Sequence, residues 1–227
     1  MPSVKIPKKS TDNDMTPFVD IAFLILSFFI MATKMKPPAP VDITTPNSVS
    51  TEKLPENDAL LVEIDKNGRV FFTILAEANP EGKRAVISNL NKTRNLGLTE
   101  AEMDKFIQVQ SIGVPFASLK SLLSQPKEKL NDKATVDRLP GIPVKDSASN
   151  ELYYWIRDAV SAFAGNKIEY LVKGDNASKF PEFKSVLQSF TRNEIFKFKL
   201  VTSPEDAPIG SALQRARQSG GAAPAAE

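Results

Sequence analysis

From Met15 to Met35 the chain reads MTPFVDIAFLILSFFIMATKM, a run apolar enough to exclude most ways of packing it. Between Pro17 and Thr33 its strongly polar residues are Asp20 and Ser27. A surface helix keeps a polar face, whereas this stretch is apolar on nearly every side. A bilayer-spanning helix takes about 20 residues, within a range of about 17 to 25. Pro17 suits a first helical turn, Thr16 or Asp14 can cap it, and Pro37 and Pro38 stop the pattern. The sequence therefore predicts a single transmembrane helix over residues 15–36. A cleaved signal peptide is the competing reading, since Lys5, Lys8 and Lys9 precede the apolar run. Met31 to Met35 offers only a poor cleavage site, however, and a carboxylate is atypical there. A short lysine-bearing stretch, residues 1–14, before a long C-terminal part predicts a cytoplasmic N-terminus and an exported C-terminal region.

Within that span Asp20 is the costly residue. A carboxylate at depth in a bilayer costs roughly 2.5–3.5 kcal/mol on insertion scales, and more if isolated. Its presence calls for a protein partner, a water-filled cavity or neutralisation by a proton. Burial disfavours the charged form, so an intramembrane aspartate is a natural proton carrier. Asp20, Ser27 and Lys34 recur at intervals of seven and share one stripe, with Thr16 a turn before Asp20. The bland reading places Asp20 just inside the headgroup boundary, hydrated and idle.

Composition removes several function classes. The 227 residues carry 29 basic and 27 acidic side chains, a net charge of +2 that points to no nucleic-acid partner. There is no cysteine, hence no disulfide, thiolate metal site or cysteine nucleophile. Nor is there a histidine, which removes the common general base and imidazole ligand. No phosphate loop, acidic metal cluster or nucleophile elbow stands out. The expectation is a protein that is not an enzyme and has no metal or cofactor.

Residues 37–58 form a proline-rich linker (Pro37, Pro38, Pro40, Pro46, Pro55), with Val41 to Thr45 a possible strand. ALLVEID and RVFFTIL around Lys66-Asn67-Gly68 predict a hairpin. The segment LTEAEMDKFIQVQ opens with a capping box, Thr99 and Glu102. FASLKSLLSQ reads as a shorter helix, and residues 126–147 as loop. In SNELYYWIRDAVSAFAG, Leu152, Ile156, Ala159, Val160 and Phe163 recur at helical spacing before Gly165. Trp155, Tyr153 and Tyr154 are read as core in preference to a binding patch. Strand KIEYLVK, helix FPEFKSVLQSF (Phe183, Val186, Leu187 and Phe190 toward a sheet) and strand IFKFKLV complete a small α+β domain over 59–204. The tail, 205–227, is expected to be disordered.

The string DMTPFVDIAFLILSFFIMATK resembles the signature of the ExbD/TolR biopolymer-transport family, through Asp14, Thr16, Pro17 and Asp20. IEYLVKGDNASKFPEFKSVLQSFTRNEIFKFKLVTSP is similar to the family's last strand-helix-strand unit, with Lys173-Gly174-Asp175 at its turn, Phe180 opening the helix and Leu200 to Thr202 closing it. About seventy residues, 76–147, have no recognised counterpart and are expected to form a helical insertion that would enlarge a partner surface. Asn193-Glu194 replaces the family's usual glycine turn. The resemblance implies an ExbD-like fold: one transmembrane helix in the bacterial inner membrane and a periplasmic α+β domain. It implies a motor subunit that uses the proton motive force to energise TonB-dependent outer-membrane transport. Its partners would be an ExbB-type multi-span pentamer, a second copy of itself, a TonB-type protein and membrane lipid. Asp20 would carry protons; Thr16, Ser27 and Lys34 would line its path; Lys173, Asp175, Leu200 and Val201 would meet a partner. Two alternatives stay open: a TolR-like envelope-maintenance subunit binding peptidoglycan, and a membrane-anchored periplasmic binding module without a motor.

Overall fold

The computed structural model describes residues 15–32, 41–48, 54–55, 58–76, 79–144 and 149–205. The expectations for residues 1–14, for Lys34, for most of the linker and for the tail beyond Glu205 lie outside these residues. The chain divides into two units, Met1–Pro38 and Ala39–Glu227.

The first unit contributes helix α1 (Thr16–Ala32), with Pro17 in its first turn and no buried residue along its length. It has 17 residues, roughly 25 Å at 1.5 Å per residue. Among the described residues, no helix is long and apolar enough to cross a membrane.

The second unit is built on a four-stranded mixed sheet. Strands β2 (Ala59–Ile64) and β3 (Val70–Leu75) form the expected antiparallel hairpin, in register from Ala59 opposite Leu75 to Ile64 opposite Val70. Strand β4 (Glu169–Gly174) lies parallel to β2, and β5 (Lys199–Leu200) parallel to β4, giving the order β3-β2-β4-β5. Five of the six residues of β2 are buried, so both faces of this strand are covered. A separate two-residue parallel pair joins β1 (Asn47–Ser48) to β6 (Ser203–Pro204).

The hairpin loop is tied by one acid. Asp65 accepts hydrogen bonds from the backbone N–H groups of Asn67 (2.9 Å) and Arg69 (2.8 Å). Its other oxygen accepts from Arg69 Nε at 2.7 Å. Arg69 also donates to the carbonyls of Asp137 (2.6 Å) and Leu139 (2.9 Å), which fastens that loop to the hairpin.

Between β3 and β4 lie α2 (Pro80–Arg94), α3 (Glu100–Gln108), α4 (Phe116–Leu123), α5 (Lys127–Leu130), α6 (Lys133–Val136) and α7 (Glu151–Ala162); α8 (Phe180–Arg192) connects β4 to β5. The Thr99–Glu102 capping box is formed, and Asn150 caps α7 through the Tyr153 N–H. The core is continuous from the sheet into the insertion. Val86, Ile87 and Leu90 of α2, Phe106 of α3, and Leu119 and Leu123 of α4 share one cluster with Leu60, Val62, Val172 and Phe190. Trp155 sits at its centre, fully buried, with ring centroids 5.7 Å from Phe106, 5.7 Å from Phe116 and 5.8 Å from Phe72. Gly113 permits a close approach, since a Cβ there would lie 2.3 Å from the Phe71 ring.

Three expectations need correction. Val41 to Thr45 forms no strand; pairing in this segment begins at Asn47, because Thr44 is instead held by Asp175. Residues 126–147 are not all loop, since Pro126 leads into α5 and Leu130 and Val136 bury against the core. The last strand is only Lys199–Leu200, as Ile195 turns inward and Phe196 outward before the chain pairs with β4. On α8, Val186 and Phe190 are buried, Phe183 packs against the core and Leu187 is half-buried.

The Asn193-Glu194 turn explains itself geometrically. Ile195 N–H bonds back to the Phe190 carbonyl at 3.0 Å, the closing bond of a helix-ending turn. Glu194 takes the left-handed conformation, φ +60°, that glycine occupies most easily.

Candidate functional site

Helix α1 advances about 100° per residue, so Thr16, Asp20 and Ser27 fall within a narrow stripe. The rest of its surface is apolar and exposed, from Phe18 and Val19 through Phe28, Phe29 and Met31. Ser27 turns its hydroxyl inward, donating to the Leu24 carbonyl at 2.9 Å. That leaves Asp20 as the charged side chain of the helix, exposed and held by no hydrogen bond or ion pair among the described residues. A free carboxylate on an apolar cylinder can exchange a proton or accept from a donor on another molecule. Which of these it does depends on what surrounds the helix.

The residues matched to the family's last unit gather at the ends of β4 and β5. Lys173 lies opposite Glu63 in register, with Nζ 3.4 Å from Oε1. Glu63 is only 3% exposed, and burial pushes its carboxyl upward while Lys173 pulls it back. Asp175 accepts from the N–H groups of Ala177 (2.8 Å) and Thr44 (2.9 Å), which together hold its carboxyl below the usual range. Asn176 N–H returns a bond to the Thr44 carbonyl at 2.8 Å. Lys173 and Asp175 are therefore engaged within the fold, the first with the sheet and the second with the incoming 41–48 segment.

Leu200 and Val201 differ. Val201 N–H donates to the Val172 carbonyl at 2.8 Å, whereas Leu200 is 52% exposed on the outermost strand. Phe196 (73% exposed) precedes that strand, and Phe180 (71% exposed) opens α8. Trp155 is core, as expected. Tyr153 and Tyr154 are half-exposed, with Arg192 4.4 Å over the first ring and Arg94 3.3 Å over the second.

Sequence reasoning passed over the buried acids, Glu63 and Asp158 among them. Each interrupts an otherwise apolar pattern, Glu63 within ALLVEI and Asp158 beside Ile156 and Ala159 on the inner face of α7. That interruption is the signal that could have found them. The described residues contain no group of acids placed to hold a metal ion.

An apolar helix with one carboxylate that no described residue answers is thus followed by an α+β unit. The chain belongs to the ExbD/TolR family of biopolymer transport proteins, which it matches over residues 7–205. Members of that family are not known enzymes, are anchored in the inner membrane with a periplasmic domain, and work with ExbB/TolQ-type and TonB/TolA-type partners. Comparison with curated proteins and with solved structures returned no match.

Proposed function

We propose that this chain is the proton-carrying subunit of an ExbB–ExbD-type complex in the inner membrane. In this reading α1 spans the bilayer with its N-terminus in the cytoplasm, and the α+β unit works in the periplasm. The observation that carries the proposal is Asp20, a carboxylate without a partner among the described residues, on a helix that buries none of its own residues. Seventeen residues meet the lower end of the spanning range of about 17 to 25. A locally thinned membrane accommodates the short span. Inside a multi-span partner, Asp20 takes a proton from the periplasmic side, crosses apolar neighbours while neutral, and ionises again toward the cytoplasm. One charge crossing the potential supplies about 2.3 kcal/mol per 100 mV. Repeated cycles drive the motion that the periplasmic unit hands to a TonB-type protein. Ser27 and Thr16 line the path, and the exposed Leu200 offers the partner an apolar side chain on the outermost strand.

The test is import of a TonB-dependent substrate in cells carrying Asp20→Asn, with membrane level and partner co-purification measured alongside. Import should fall to background while the complex still assembles. Undiminished import would reduce Asp20 to an interfacial residue and end the motor reading.

A further inference from the structure

Residues 41–48 lie against the α+β unit as a strap. Val41, Ile43 and Thr45 turn inward while Asp42, Thr44 and Pro46 stay exposed, the alternation of an extended chain. Val41 is 4% exposed and belongs to the same core cluster as Leu130 of α5 and Val136 of α6, and Ile43 packs against that cluster. Asp42 forms an ion pair with Lys133 of α6, so the insertion grips the start of the strap. Farther along, Asn176 N–H donates to the Thr44 carbonyl at 2.8 Å, and the Thr45 and Ser203 hydroxyls share a hydrogen bond of 2.6 Å. The N–H groups of Ser203 and Glu205 donate to the carbonyls of Pro46 (3.0 Å) and Ser48 (2.9 Å).

This hold is light beside that of the sheet. Both side chains of the Asp42–Lys133 pair are more than half exposed, and such pairs contribute little. The pairing of β1 with β6 is two residues long, whereas β2 is paired along six residues on either side. Val41 is the one residue of the strap that is buried. Segments with few buried apolar contacts and exposed backbone bonds open at a fraction of the free energy of global unfolding. The strap fits that description and β2 does not.

Its place in the chain gives opening a consequence. Residues 33–40 join α1 to the docked strap, a tether of at most about 30 Å when fully extended. With the strap free, residues 33–58 join α1 to β2, and the limit rises to about 90 Å. A pull transmitted through α1 meets the strap before it meets the sheet.

We propose that residues 41–48 are a releasable clasp, held shut in part by α6 of the insertion, that sets the length of the tether between α1 and the α+β unit. The clasp opens as one unit, because the Val41 anchor and the bonds at Thr44, Pro46 and Ser48 follow one another along a single extended segment. The sheet stays folded as it opens. None of this depends on Asp20 carrying protons; α1 enters only as the point from which the tether starts.

The test is hydrogen–deuterium exchange of the full-length chain in detergent micelles, under conditions where exchange follows the opening equilibrium. It is read by NMR at the amides of Asn176, Ser203 and Glu205, whose acceptors are strap carbonyls. All three should exchange at least about tenfold faster than the amides of β2. Val41→Ala should speed the three by a common factor of about ten. Lys133→Gln, on the exposed face of α6, should speed them about two- to fivefold. The amides of β2 should be unmoved in both variants. Strap-bonded amides that exchange no faster than β2, acceleration at Asn176 without Glu205, equal acceleration of β2, or no response to Val41→Ala would each overturn the clasp. No response to Lys133→Gln would overturn the insertion's part in it.

Discussion

Asp20 on α1 and Glu63 on β2 are both single acids set into apolar runs, FVDIAF and LLVEI, yet their surroundings differ completely. Glu63 is buried by its own chain and answered by it, with Lys173 opposite in the neighbouring strand. Asp65 and Asp158, also buried, are likewise held by Arg69 and Arg157. Asp20 stands on a helix that buries nothing, and nothing described in the chain answers it. A buried charge without a partner would cost several kcal/mol, so a folding unit supplies one. In the proposed reading, the partner of Asp20 comes from another molecule. In the α+β unit these buried acids are part of the fold; on α1, in the proposed function, the acid is part of the work.

The comparison can be broken most severely through the insertion. Deleting residues 76–147 removes α2 to α6 and with them the cover of Trp155, so the α+β unit should lose cooperative unfolding and become protease-sensitive. A deleted form that still melted cooperatively would show the insertion to be an appendage after all. Next in size, Arg69→Ala strips the ionic partner from Asp65 and two bonds from the 137–139 loop. Breaking such a buried pair costs about 3–5 kcal/mol, read as a lowered urea midpoint. Unchanged stability there would undo the claim that the acids of this unit are structural.

The pH dependence of Glu63 sharpens the point. Its carboxyl is raised by burial in the folded state, so the folded chain binds its proton more tightly than the unfolded chain does. This group's contribution is greatest below the unfolded value, about 4.3, and is lost as pH rises toward and through the folded one. Glu63→Gln should flatten that part of the stability profile. A profile unchanged by the substitution would mean that Lys173 compensates the burial fully. Smaller still, Glu194→Gly relieves a left-handed residue and should stabilise the unit by about 1 kcal/mol. At the end of the scale, Asp20→Asn should leave the thermal unfolding of the α+β unit unmoved, even as it abolishes import. A large shift in melting would mean that Asp20 is a structural acid like the others.

Much of this molecule was legible in its residues. The apolar run with Asp20, the Lys66-Asn67-Gly68 hairpin, the Thr99–Glu102 cap and the helix around Trp155 are local patterns, carried by spacing and turn chemistry within a few residues. The longest helix of the α+β unit, α2, went unread although Asn79 caps it and Pro80 stands in its first turn, because its charged outer face dilutes the apolar period of Val86, Ile87 and Leu90. The short final strand was over-read, since alternation in IFKFKLV says nothing about how far a neighbouring strand extends to pair with it.

Local chemistry by itself determined where helices start and stop, which stretch is too apolar for an ordinary surface, and which acid sits inside it. Tertiary structure alone decided that Thr44 would meet Asp175 across 131 positions of sequence, that Lys173 would answer Glu63, and that the insertion would close over Trp155. It also laid residues 41–48 against the α+β unit. The physical reason is range: caps, turns and periodicity act over one or two turns of chain, whereas the partner of a buried charge and the footing of a strap come from segments that only packing brings together.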